Sequence, residues 1–143
     1  MTTPATYDDA NLILRLYEMR REPKMREARA WFTRKFHCTT VAEYNKLAPM
    51  GSNESAHARQ VITYWEMVAS LITSGILNEH LFFQSGMELL LVHEKVRDML
   101  PEMRVTYKND ALWKNLETVA HRFATYLGTE AYDSFATRVR GMR

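Results

Sequence analysis

The sequence predicts an all-α fold, a single irregular bundle of about six or seven helices with long antiparallel helices at its centre. Apolar residues return every three or four positions instead of alternating, which is the spacing of helices that bury one face. Helix-capping residues precede these stretches, and glycine or proline follows them. No linker-like tract divides the 143 residues, so one domain spanning residues 1–143 is expected.

The first two helices are predicted on either side of a proline. The first begins after Asp8 or Asp9 and ends near Arg21, because apolar residues mark one face of this segment. Pro23 has the fixed backbone angle that suits the first position of a helix, so it starts the second, which reaches His37.

Two further helices are predicted in the middle of the chain. Thr40 and Glu43 have the spacing of a capping box and start a short third helix that runs to about Leu47. The fourth helix, from roughly Glu54 to Ser74, is expected at the centre because its apolar arc covers nearly half its circumference. The arc comprises Ala58, Val61, Ile62, Trp65, Val68, Ala69 and Ile72.

The second half of the chain predicts three more helices. Asn78 caps the first, which runs to about Leu100 and is kinked or split at Gly86. The chain restarts at Pro101, and Asp110 is expected to cap a helix that ends at Leu127. A short helix, Glu130 to Arg140, is expected to follow it.

Overall composition excludes several classes of protein. With 19 Lys and Arg against 17 Asp and Glu, the net charge of +2 is far from that of a dedicated nucleic-acid binder. The single Cys38 excludes an intramolecular disulfide and a cysteine-rich zinc site. No apolar run reaches the length of a membrane span and the N-terminus lacks a signal-peptide pattern, so a soluble, cytoplasmic protein without a membrane partner is expected.

The segment from Leu16 to Phe36 is rich in Lys and Arg, and its charges face two ways. Projected onto helices, Arg20 and Arg29 fall on apolar faces, whereas the other basic residues point outward. An inward arginine either reaches water along its aliphatic stem or pairs with a carboxylate, for which Glu66 and Glu117 are the expected partners. The alternative is that the same charges hold a small anionic ligand. This candidate network or pocket comprises Arg20, Arg29, Glu66, Arg104 and Glu117.

The outward charges of residues 20–35 suggest an alternative, a nucleic-acid-associated accessory protein. Exposed basic residues near an aromatic ring such as Trp31 are the groups that contact phosphates and bases. However, Glu18, Glu22 and Glu27 are interleaved with them at the spacing of helical ion pairs. An ordinary solvated face is therefore favoured, and no nucleic-acid partner is predicted. The basic residues in question are Lys24, Arg26, Arg34 and Lys35.

Motifs for catalysis or metal binding are weak in this sequence. Glu117 and His121 form the best pair at one-turn spacing, but no His-Glu-x-x-His, Gly-x-Ser-x-Gly or phosphate-binding loop occurs. His37 and Cys38 are adjacent, and adjacent side chains on a helix point about 100° apart, which is poor geometry for a catalytic dyad. No catalytic, cofactor-binding or metal residue is therefore predicted.

The stretch from Leu81 to Val92 is apolar on nearly every side of its predicted helix. Such a helix in a small domain must be central or must bury one side against another subunit. With the fourth helix already expected at the centre, a homodimer is predicted, with Phe82, Phe83 and Leu90 as self-association residues. The leading hypothesis is therefore a non-enzymatic interaction or scaffold module that self-associates.

Four stretches of the chain also resemble a known family. They are LYEMRREPKMREARAWF, YWEMVASLITSGILNEHLFF, ELLLVHEKVRDMLPEMR and WKNLETVA. Together they are similar, over about residues 12–123, to a family of small bacterial all-helical proteins catalogued as a domain of unknown function. The resemblance implies a helical fold and supplies no activity, cofactor or catalytic residue.

Overall fold

The computed structural model describes residues 3–142, and this part of the chain is all-helical, which confirms the predicted class. None of its helices is both long and apolar enough to cross a membrane. Nine helices form within these residues, so the predicted number of six or seven was too low. They are α1 (Tyr7–Arg21), α2 (Pro23–Lys35), α3 (Val41–Leu47), α4 (Asn53–Thr73), α5 (Glu79–Phe83), α6 (Met87–Val96), α7 (Leu100–Thr106), α8 (Lys114–Leu127) and α9 (Thr129–Arg140).

The helix predicted from Asn78 to Leu100 is divided into α5 and α6. Gly86 lies between them, and a Cβ atom at this position would come within 2.3 Å of the Cζ atom of Phe82. The absence of a side chain therefore lets the chain turn tightly against a buried ring. The segment after Pro101 is also helical, since Pro101 occupies the first turn of α7.

Helix α8 begins later than predicted, at Lys114 instead of just after Asp110. Trp113 precedes it in the left-handed conformation (φ 52°, ψ 34°) and makes no side-chain cap. The cap comes from α4, where the Glu66 carboxylate accepts a hydrogen bond from the Leu116 amide at 2.8 Å. A carboxylate also interacts favourably with the positive end of the helix dipole. Tertiary packing thus sets where α8 starts.

Carboxylates from other helices also accept hydrogen bonds from backbone amides at the N-terminal ends of α3 and α5. Glu102 of α7 accepts a hydrogen bond from the Val41 amide. Asp9 of α1 accepts one from the Asn78 amide at 2.8 Å, while it also completes a capping box with Thr6. These bonds join segments that are far apart in sequence.

Helix α4 lies at the centre of the bundle and packs against both α2 and α8. Every residue of its predicted apolar arc is buried. On its α1 side, the Tyr64 hydroxyl donates a hydrogen bond of 2.6 Å to the Leu16 carbonyl. Asp9 lies near Asn78, beyond the end of α4, so α1 runs in the opposite direction to α4.

Replacing Gly86 by alanine tests the tight approach between α5 and α6. We expect the free energy of unfolding to fall by about 1–3 kcal/mol, because the added methyl group must displace a buried ring. Phe82 cannot move freely, since it packs against Trp65 and Phe123. The measurement is urea unfolding followed by circular dichroism.

Gly141→Ala is the matched control for this substitution. Its Cβ would meet no atom closer than 3.4 Å, and the backbone angle suits any residue. This variant should unfold within about 0.5 kcal/mol of the wild type. Equal stability of the two alanine variants would contradict a steric constraint at Gly86.

Candidate functional site

Glu88 forms an ion pair with Arg29 at the junction of α2, α4 and α6. Its two carboxylate oxygens accept hydrogen bonds from Nε and Nη2 of Arg29, both at 2.8 Å. The indole nitrogen of Trp65 donates a third bond at 3.2 Å. The hydrogen bond with Glu88 raises the pKa of Arg29, so this guanidinium stays charged. The bidentate geometry fixes both side chains.

Arg20 joins the same cluster from α1. Its guanidinium lies 5.3 Å from the ring centroid of Trp65 and 5.5 Å from that of Tyr17, within cation–π distance of both. Its Nε atom is 3.9 Å from Glu88, and its backbone carbonyl accepts a hydrogen bond from Arg29 at 3.1 Å. Both inward arginines thus contact the same carboxylate, that of Glu88. The guanidinium of Arg20 also lies near the rings of Trp65 and Tyr17.

The structure pairs Arg29 with Glu88 instead of the expected Glu66 or Glu117. Glu66 caps α8, as described above, and Glu117 lies beside Arg104. The five residues predicted as one network therefore lie in three places: Arg20 and Arg29 meet at Glu88, Arg104 pairs with Glu117, and Glu66 caps α8. The sequence analysis did not identify Glu88 as a partner. A signal was present, because Glu88 is the single charged residue between positions 81 and 92. A charge within an apolar stretch needs a partner when the stretch is buried.

The second charged cluster lies where α7 meets α8. Arg104 donates its Nε to the Leu112 carbonyl at 3.0 Å and contacts both oxygens of Glu117 at 3.3 Å. Lys114 contacts the same carboxylate at 3.1 Å. Burial alone would raise the pKa of Glu117, but hydrogen bonds from Lys114 and Arg104 lower it below its usual value. Glu117 is therefore a carboxylate at neutral pH.

His93 of α6 lies next to Glu117 and His121 of α8. One ligating atom of each side chain lies within 4.8 Å of the others. The two imidazole rings are perpendicular, with centroids 5.6 Å apart. Burial, with a smaller contribution from His121, lowers the pKa of His93 to about 4. The sequence placed Glu117 and His121 on one face but gave no signal for His93, which comes from a different helix.

The residues predicted for self-association pack inside the chain. Phe82, Phe83 and Leu90 are all buried, and both phenylalanine rings contact the ring of Phe123. The apolar stretch from Leu81 packs within its own bundle, because the centre holds residues of α5 and α6 as well as those of α4. These three side chains leave nothing for a second copy to contact.

The outer face of α1 instead carries an exposed apolar stripe. Tyr7, Leu14 and Tyr17 are 91%, 61% and 51% exposed, and Ala10 lies between the first two. Their spacing of three and then four residues keeps them on one side of the helix. The opposite side buries Leu16 in the core. Helix α1 therefore has two apolar faces, of which the bundle covers one. We call this set the α1 stripe; it comprises the exposed Tyr7, Leu14 and Tyr17 and the partly buried Ala10.

The basic outer face of α2 has weak features for binding nucleic acid or a small anion. Trp31 is partly buried and packs against Phe36 and His57, so its ring is not free to stack on a base. An open cleft borders Arg26, Arg29 and Arg34, as the anionic-ligand alternative requires. However, Arg29 directs its donors to Glu88 and Arg20, which leaves two exposed arginines for an anion.

Cys38 is buried and its surroundings do not activate it. Burial raises the pKa of the thiol to about 11, so the nucleophilic thiolate is scarce at neutral pH. The neighbouring His37 directs its Nε2 atom to the Arg34 carbonyl at 3.0 Å. The arrangement is that of a structural cysteine.

Comparison with known proteins gives one family. A family model described as Domain of unknown function (DUF4760) matches residues 5–123, which includes the Glu88 cluster and all of the α1 stripe. No curated protein and no solved structure matches the chain.

The Arg29–Glu88 pair can be tested by removing either charge. Arg29→Met and Glu88→Gln should each lower the free energy of unfolding by about 2–4 kcal/mol, because the remaining charge loses its partner in a largely buried place. The side chains are 24% and 19% exposed, so water moderates the loss. Arg122→Met, which breaks an exposed pair with Glu79, is the control and should cost under about 1 kcal/mol. Similar losses in all three variants would contradict the assignment.

The state of Cys38 can be tested with a thiol reagent such as dithionitrobenzoate at pH 8. A pKa of about 11 leaves about one thiol in a thousand ionised at this pH, and burial restricts access further. We expect slow labelling of the native protein and fast labelling in urea. A Cys38→Ala variant that also carries Ser134→Cys, at an exposed position of α9, should label fast without urea. Fast labelling of native Cys38 would disprove its burial.

Proposed function

Because the chain belongs to the family described as Domain of unknown function (DUF4760), which assigns no activity, we propose its function from the geometry. The protein is a non-enzymatic helical interaction module that forms a homodimer, in which the α1 stripe of one copy packs against that of another. The exposed apolar face of α1 is the observation that supports this proposal.

The spacing of the α1 stripe fits pairing with another helix. Positions 7, 10, 14 and 17 follow the alternating three-and-four pattern of a heptad repeat. This pattern lets two helices pack along a shared seam, with side chains of one entering gaps on the other. The small Ala10 leaves room in the seam for a larger side chain of the partner. A helix that faced only water would gain nothing from this arrangement.

Charge favours a second copy of the chain as the occupant, in an antiparallel orientation. The first turn of α1 is acidic and its last turn basic. Asp8 and Arg21, at opposite ends, are both exposed. When two copies of α1 pair head to tail about a two-fold axis, the acidic end of each lies near the basic end of the other. A parallel pair would bring like charges together.

The remaining charged clusters support a structural role. Glu88 is occupied by Arg29 and Trp65, and Glu66 holds the first turn of α8. These groups serve to position helices, which fits a rigid module better than an enzyme that must keep polar groups available for a substrate.

Sedimentation velocity over a concentration series tests the proposed dimer. The wild type is expected to associate, and Leu14→Glu to weaken association at least tenfold because it places two carboxylates near the two-fold axis. Met50→Glu is the control, since Met50 is fully exposed in the loop before α4 and should leave the equilibrium unchanged. Because Leu14 is exposed, both variants should keep the wild-type circular dichroism spectrum.

A charge exchange tests the orientation of the pair. Asp8→Arg should weaken the dimer, and adding Arg21→Asp in the same chain should restore it, because the reversed ends again face opposite charges. A wild type that stays monomeric at all concentrations, or a Leu14→Glu variant that associates as the wild type does, would overturn the proposal and leave the α1 stripe to a different partner.

A further inference from the structure

The packing of α6 against α8 brings together three side chains of a kind that binds metal ions. His93 comes from α6, and Glu117 and His121 lie one turn apart on the same face of α8. We propose that these three residues form a binding site for a divalent transition metal ion of the zinc type. This site is independent of the α1 stripe, because none of its residues belongs to α1.

The geometry requires only a small closure around an ion. One ligating atom of each residue lies within 4.8 Å of the others. Bonds of about 2.1 Å in a tetrahedral arrangement place ligand atoms about 3.4 Å apart. Rotation of the exposed His121 side chain can close this difference. The helical spacing of four residues already points both Glu117 and His121 toward His93.

The donor set selects the class of ion. Two imidazoles and one carboxylate suit Zn²⁺, Co²⁺ and Ni²⁺, whereas Mg²⁺ and Ca²⁺ prefer oxygen ligands throughout. An imidazole binds a metal ion through a nitrogen lone pair, and the buried His93 can supply one from the core side of the site. His121 is exposed, which gives an ion a path from solvent and leaves coordination positions for water. Three protein ligands with open positions resemble the arrangement of accessible rather than closed zinc sites.

The neighbouring cations both orient and weaken the site. Arg104, anchored by its bond to the Leu112 carbonyl, holds the Glu117 carboxylate in place, as outer partners of metal ligands commonly do. Lys114 shares one oxygen of that carboxylate. A carboxylate has about four lone-pair positions, so room for an ion remains. The two positive charges oppose a cation, and we expect affinity in the micromolar range rather than the much tighter binding of structural zinc.

Titration of the metal-free full chain with Zn²⁺ tests the site, with calorimetry as the measurement. The wild type should bind one ion, and His121→Ala and Glu117→Gln should each lose at least tenfold in affinity. His80→Ala removes an exposed histidine of α5 that lies outside the site and is the matched control, expected to bind as the wild type does. Because His121 is exposed, its removal should leave the fold intact, which circular dichroism can check.

Visible absorption of the Co²⁺ complex adds a test of the ligands themselves. A site with few ligands gives Co²⁺ bands far stronger than those of the hydrated ion, and these bands should be absent in His121→Ala and retained in His80→Ala. Failure of the wild type to bind Zn²⁺ more tightly than His121→Ala would overturn the proposal. Equal losses in His121→Ala and His80→Ala would also overturn it, because binding would then follow the number of surface histidines. Neither result depends on self-association.

Discussion

The Glu88 carboxylate is the contact on which the arrangement of α1, α2, α4 and α6 depends. One side chain of α6 receives hydrogen bonds from Arg29 of α2 and Trp65 of α4, and Arg20 brings α1 to the same place. A largely buried carboxylate is unfavourable unless its oxygens accept hydrogen bonds. The helices that carry the donors must therefore pack together around Glu88. The pair thus specifies which faces meet, whereas apolar burial supplies most of the stability.

The features that follow the helical repeat could be predicted from sequence. The buried arc of α4 and the start of α2 at Pro23 are local properties, so a short window contains the whole signal. The inward direction of Arg20 and Arg29 was also readable from helical projection. Which carboxylate they meet was not, because Glu88 is 59 positions from Arg29 and only packing brings them together.

Other features depend on tertiary structure in ways that no local pattern carries. The left-handed backbone at Trp113 displaces the start of α8, since a carboxylate from α4 supplies the cap that Asp110 was expected to provide. His93 joins two residues of α8 only because α6 lies beside that helix. Likewise, the centre of the bundle accommodates both α4 and the apolar stretch after Leu81, for which the all-round apolar pattern had predicted a subunit contact.

The carboxylates that accept hydrogen bonds from backbone amides at the N-terminal ends of α3, α5 and α8 lie 61, 69 and 50 positions away from their donors. During synthesis on the ribosome, α3 leaves the exit tunnel long before Glu102 does. The N-terminal half therefore cannot complete its hydrogen bonds until residues beyond position 100 are available. Distant pairings of this kind slow folding relative to bundles built from local contacts. In a nascent chain of this protein, α3 therefore gains its Glu102 cap only after the last third of the sequence has been synthesised.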